Sequence, residues 1–179
     1  MNKEIVFESD RICFCKWSKE DFEDFKSIAT NPKVMKYIGT GELWSDERIL
    51  GFIEGCIELF NRLKFCLWPI YQKPNMEFIG FCGLTLLNEP DEIEIGWWLH
   101  PSYWGMGIAT EAASRVVTYA FNELNLHQIV SIAQPENSSS INIMKKIGMK
   151  FEKMTKGHYG IDIVYYVLKD DNRSQNIEL

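Results

Sequence analysis

The sequence predicts one α/β domain, of mixed α+β character, built on a mixed sheet of about seven strands with about four helices. Three observations point there. Runs with β-type alternation and runs with helical period interleave along the whole chain of 179 residues. Three of the six pairs of successive β-type runs are separated only by turn residues, which forces them antiparallel. One pair, Ile93 to Leu99 and Gln128 to Ala133, is separated instead by a long helical segment. Such a crossover makes its two strands parallel, with a right-handed connection.

Each element has its own warrant. Arg11 to Trp17 alternates well enough for a first strand. Ser18-Lys19-Glu20-Asp21 has the form of a capping box, and Phe22, Phe25, Ile28 and Ala29 mark the apolar face of a first helix. Asn31-Pro32 ends it. Ser45 caps a second helix, with Asp46 and Glu47 in the first turn where the helix dipole favours acids. Ile49, Ile53, Cys56, Ile57 and Phe60 face inward from it.

Phe65 to Tyr71 forms the second strand, and Pro69, which cannot donate a ladder hydrogen bond, predicts an edge position or a bulge. Pro74-Asn75 turns the chain into a third strand, Phe78 to Leu87, and Asn88-Glu89-Pro90-Asp91 turns it into a fourth, Ile93 to Leu99. The third helix starts near Ala109, with Ala112, Ala113, Val116, Val117, Ala120, Phe121 and Leu124 on one buried face. Gln128 to Ala133 is the fifth strand, and Asn137 to Ile147 is a fourth helix stopped by Gly148. Lys150 to Lys156 and Ile161 to Leu168 close the sheet as a hairpin or meander. The domain covers residues 1–168, and 169–179 form a polar tail.

Composition bounds the function. Apolar residues make up 46% and aromatics 13%, which describes a globular chain. The net charge of −6, without a lysine or arginine run, argues against nucleic acid as the main partner. Cys13, Cys15, Cys56, Cys66 and Cys82 have neither metal-ligand nor disulfide spacing. They read as reduced core residues of a cytoplasmic protein, and no metal is expected. Met1 to Asp10 lacks the apolar core of a signal peptide, and no apolar run approaches the roughly 18 residues of a membrane span.

The most informative stretch runs from Glu94 to Ala112: a strand, an aromatic loop, then Gly105-Met106-Gly107 opening a helix. A helix that starts on glycines leaves its first N–H groups uncovered, and those donors with the helix dipole make a phosphate cradle. A dinucleotide-binding fingerprint wants a third small residue where Thr110 stands, and belongs on the first strand of the chain.

The stretch resembles the pyrophosphate-binding motif of the GNAT N-acetyltransferases, and within them the subgroup that acetylates ribosomal-protein N-termini (RimJ/RimL-like). The family motif, Gln/Arg-x-x-Gly-x-Gly/Ala, aligns with Trp104 to Ala109, so Trp104 replaces the polar residue. The resemblance implies the GNAT fold, with the fourth and fifth strands parallel and splayed, and coenzyme A bound at Trp98, Leu99, Trp104, Gly105, Met106, Gly107, Ile108, Ala109 and Thr110. Asn137 to Ser140, continuing to Lys146-Ile147-Gly148-Met149, resembles the second family motif, Asn-x-x-Ser/Ala ending in Lys-aliphatic-Gly-Phe. By resemblance Asn137 bonds the pantetheine arm; by local physics it is an N-cap with Ser140 at N3. Many members carry a tyrosine seven residues after that asparagine as acid for the departing thiolate. Met144 stands there and cannot donate a proton, which leaves Ser140 as its replacement.

In the family the parted strands expose backbone N–H groups, and one of them, here that of Leu99, donates to the thioester oxygen. Alternation puts Glu94, Gly96, Trp98 and His100 on one face. Glu94 and His158 are the candidate bases; His100 reads equally as a cap on the Pro101 turn, and His127 as a surface residue complementing a helix end. The loop between the first two helices borders the acceptor in the family. That nominates Tyr37, Glu42 and Trp44, with Trp44 alternatively a staple before the Ser45 cap.

The resulting expectation is a cytoplasmic, acetyl-CoA-dependent N-acetyltransferase acting directly on a primary amine. The acceptor is a protein N-terminus or a small molecule such as a polyamine or an amine-bearing antibiotic. No cysteine lies near the motif loop, so no covalent acetyl-enzyme is expected, and a homodimer is left open. Two alternatives stand beside it: a catalytically inactive acyl-CoA-binding regulatory protein, which Met144 allows, and a nicotinamide-dinucleotide enzyme.

Overall fold

A computed structural model describes residues 3–87 and 92–170. Its elements in chain order are β1 (Ile5–Glu8), β2 (Ile12–Cys15), α1 (Phe22–Ala29), α2 (Pro32–Met35), α3 (Asp46–Leu63), β3 (Leu67–Gln72), β4 (Glu77–Leu86), β5 (Ile93–Leu99), α4 (Ile108–Asn122), β6 (Gln128–Ala133), α5 (Ser138–Lys146), β7 (Lys150–Lys156) and β8 (Asp162–Lys169). The strands form one mixed sheet in the order β1-β2-β3-β4-β5-β6-β8-β7. Among the described residues only β5 and β6 pair in parallel. The expected turn Asn88–Asp91, residues 171–179 of the tail and the His158 side chain lie outside the described residues.

Several expectations need correction. The sheet has an eighth strand, β1, which pairs antiparallel with β2. Its four residues carry a single buried side chain, Phe7, too short a pattern to read as alternation. The first expected strand contracts to Ile12–Cys15. Pro32 ends α1 but also opens a further short helix: Asn31 Oδ1 accepts the Lys33 N–H at 3.0 Å, and Pro32 sits at the first helical position, where no N–H is needed. Strand β3 is interior, between β2 and β4. Pro69 is tolerated there because the β2 ladder stops one residue earlier, at Phe14 opposite Ile70, and the expected bulge falls beside it, between Ile70 and Tyr71. The last two strands are a hairpin, but β8 inserts between β6 and β7.

The two faces of the sheet are covered by different helices. Phe81 and Trp98, cross-strand partners on β4 and β5, pack against Phe25 of α1 and Phe52 of α3. On the other face Phe7 and Trp68 pack against Tyr119 of α4, and Phe14 stacks on Phe7. Helix α2 belongs with α1, and α5 with α4. The Ser18 box forms: the Ser18 N–H donates to Asp21 Oδ2 at 2.8 Å, and the buried Asp21 also takes the Lys3 ammonium and the Tyr71 hydroxyl. All five cysteines are buried and unpaired. Among the described residues no helix is long and apolar enough to cross a membrane, and no cluster of His, Cys, Asp and Glu could hold a metal ion.

Candidate functional site

The parallel pair is joined at a single register point, Glu94 opposite Val130. Beyond it the ladder lapses, and Ser131 Oγ donates to the Ile95 carbonyl at 2.9 Å in place of a backbone donor. The parted strands open a cleft of about 830 Å³ bounded by the α2 loop, β5, the start of α4, β6 and α5. That is a size suited to an extended small ligand.

The cradle stands on one wall. Gly105 (φ 77°) and Gly107 (φ 78°) are both in the left-handed region, and a Cβ on Gly105 would meet open space. Glycine is therefore favoured by backbone conformation at both positions. The first intrahelical bond of α4 is Glu111 N–H to Gly107 O, at 3.0 Å, so the N–H groups of Ile108, Ala109 and Thr110 precede the ladder and face outward. Gly105, Gly107, Ile108, Ala109, Thr110 and Trp104 line the cleft; Met106 does not, and its side chain is exposed. Trp104 spends its indole N–H on the Leu99 carbonyl at 2.9 Å, tying the loop to the end of β5.

Arg11, which the sequence reading passed over, braces the same loop. Its Nη1 donates to the Met106 carbonyl at 3.0 Å and its Nε to Glu111 Oε2 at 2.6 Å, while Ser9 Oγ and the Arg11 N–H donate to Glu111 Oε1. These donors hold the Glu111 carboxyl below the usual range despite its partial burial. The signal was an isolated arginine nearly a hundred residues away in the chain, which no local pattern connects to the glycines.

Facing the cradle, Asn137 caps α5 by accepting the Ser140 N–H on Oδ1 at 3.2 Å, so the Ser140 hydroxyl stays available; both residues line the cleft. Met144 is fully buried in the core. On β5 the His100 N–H donates to the Ile79 carbonyl at 2.8 Å, toward β4. Strand alternation therefore turns the Leu99 N–H the other way, into the gap toward β6. His100 caps the following turn, its Nδ1 accepting the Ser102 N–H at 3.3 Å.

Glu94 sits where the strands divide, on the sheet face shared with Trp98 and covered by α1 and α3. Burial pushes its carboxyl up to about 7, offset in part by the Ile132 backbone N–H. A carboxyl that titrates near neutrality inside a cleft is suited to general base catalysis.

Tyr37 lines the cleft, whereas Glu42 and Trp44 do not. Trp44 packs edge-on against Phe25, Phe52 and Trp98, with the Arg48 guanidinium over its ring, so it buttresses the wall behind the site. The cleft also recruits Lys33, Lys36 and Thr85, none of them singled out from the sequence, together with Gly39, Gln134 and Lys146. Gln134 Nε2 donates to the Gly39 carbonyl at 2.8 Å, latching the α2 loop to the end of β6.

A family model described as an acetyltransferase (GNAT) domain matches residues 11–150. An uncharacterised N-acetyltransferase, YnaD of Bacillus subtilis (strain 168), is 33% identical over 159 residues, covering 84% of this chain and 91% of that protein. Spermidine N(1)-acetyltransferase of Escherichia coli (strain K12) is 28% identical over 143 residues, covering 75% of this chain and 70% of that one. The solved structure of RimL, a ribosomal L7/L12 alpha-N-protein acetyltransferase in complex with coenzyme A, shares the fold at a TM-score of 0.80 and 18% identity, over 94% of this chain and 99% of that one. The chain belongs to the GNAT acetyltransferase family, and it is an N-acetyltransferase.

Proposed function

We propose that acetyl-CoA enters the cleft between β5 and β6 as donor, and that a primary amine attacks it directly from the face covered by α1 and α3. One observation carries this reading: the strands part at Glu94, with uncovered α4 N–H groups on one side and an enclosed carboxyl on the other. Two glycines in the left-handed region and open space over Gly105 suit a diphosphate brought close to backbone. Bound acetyl-CoA supplies the thioester.

The residues of the chain do the rest. The N–H groups of Ile108, Ala109 and Thr110 hold phosphate, and Arg11 keeps their loop in shape. Trp98 and Asn137 flank the pantetheine arm. The Leu99 N–H stabilises negative charge on the acyl oxygen as the amine attacks, a fixed dipole worth a few kcal/mol (~3) in a dry site. Glu94 takes the proton of the incoming amine. Ser140 donates its hydroxyl to the departing sulfur. Tyr37 borders the amine.

Within the family the Glu94-to-Leu99 strand, the Ala109-Thr110-Glu111-Ala112 helix opening and Ser140 favour the RimJ/RimL-like type. Buried, unpaired cysteines support a cytoplasmic location for the domain of residues 1–168. The test is thiol release from acetyl-CoA over a panel of primary amines, with calorimetric titration of coenzyme A beside it. Binding together with amine-dependent release is the expected result; absence of both would overturn the reading.

A further inference from the structure

We infer that the acceptor carries an anionic group, a carboxylate or a phosphate ester, close to the amine it presents, and so is not a polyamine. The inference rests on the acetyl-transfer reading above. Lys33 and Lys36 line the cleft from α2 and its end, spaced three apart and therefore on one side of the turn. Helix α2 packs with α1, on the sheet face that carries Glu94, whereas the phosphate cradle opens α4, which packs with α5 on the opposite face. The two lysines thus stand on the amine's side of the reaction. Lys146, on α5 with Asn137 and Ser140, stands on the donor's side.

The charges on that side are unbalanced. Lys33 and Lys36, like Lys146 on the donor's side, have no ion pair among the described residues, so nothing there already neutralises the cations that line the cleft. Lys36 rests only on the Tyr37 ring, 4.9 Å from its centre. Glu94 is the one carboxylate among the described lining residues, and its task is to accept a proton rather than to hold a cation. Two like charges three residues apart repel each other, and a chain of net charge −6 has no general excess of cations to explain them. The Gln134–Gly39 hydrogen bond latches the loop behind them, which keeps them over the cleft. A polyamine would meet two unpaired cations here; an amine with a neighbouring anion would neutralise them.

The experiment compares glycyl-glutamate, its uncharged analogue glycyl-glutaminamide, phosphoethanolamine, ethanolamine and spermidine as acceptors, for wild type and for Lys33→Glu/Lys36→Glu. Wild type is expected to prefer each anionic acceptor over its uncharged analogue by at least tenfold in kcat/KM, through KM. The larger of the two ratios tells carboxylate from phosphate. In the double variant the preference should vanish or invert, while the calorimetric Kd for coenzyme A stays within about twofold of wild type. Calorimetric binding of each acceptor to the coenzyme A complex is measured in parallel. If no amine is acetylated, tighter wild-type binding of the anionic member still upholds this inference while the transfer reading fails. Spermidine as the best acceptor, or a preference that survives in the double variant, would overturn it.

Discussion

Glu94→Gln separates the stability of this protein from its chemistry. Burial holds the Glu94 carboxyl at about 7, against 4.5 for an ordinary glutamate. Between those two pH values the folded chain keeps a proton that the unfolded chain has released, so stability falls as pH rises through the window, and the whole penalty is present above it. At about 1.4 kcal/mol per pH unit the gap corresponds to about 3 kcal/mol, and partial contact of the side chain with the open cleft lowers this to about 2 kcal/mol. Glutamine keeps an oxygen for the Ile132 N–H and carries no charge to desolvate. Thermal unfolding of the variant and wild type at pH 8 should therefore differ by about 4–8 °C in favour of the variant, and at pH 4.5 the two should coincide. Over the same range kcat/KM of wild type should rise with an apparent pKa near 7, and the variant should lose that limb with a fall of about a hundredfold or more. An equal Tm difference at both pH values would refute the argument, because it would mean that Glu94 is not held neutral by burial.

Three further outcomes follow from named contacts. Asn137→Ala should lower stability by about 1 kcal/mol through loss of the α5 cap, whereas Ser140→Ala should leave the midpoint unchanged and reduce kcat about ten- to a hundredfold, since only the Ser140 N–H serves the cap. Gly107→Ala should cost about 1–2 kcal/mol at its left-handed φ and weaken coenzyme A binding, both readable by calorimetry. Arg11→Ala should raise the Kd for coenzyme A and lower stability at neutral pH by about 0.5 kcal/mol. Because the Glu111 carboxyl is held low in the folded chain, that stability difference should fade as pH drops through its folded pKa, which a denaturant series at pH 7 and pH 3 would show.

Local physics made much of this molecule legible. The Ser18 box, the Ser45 and Asn137 caps, the α4 stripe and the paired glycines are all short-range devices, readable within a turn or two of chain. The elements that escaped notice are short or are decided by their neighbours. Four-residue β1 exists because β2 offers it an edge, and β3 accepts Pro69 because the β2 ladder has already stopped. Trp44 could be read as an acceptor contact until its ring is seen against Phe25, Phe52 and Trp98.

By itself the sequence determined the interleaved α/β order, the parallel crossover and the paired glycines that open α4, because period, caps and glycine conformations are properties of consecutive residues. Tertiary structure alone decided where the strands part, that Glu94 lies half-buried in the cleft at that point, that Arg11 braces a loop almost a hundred residues away, and that Lys33 and Lys36 line the same cleft. Those are matters of desolvation and of contact between segments remote in the chain, and neither has a local signature.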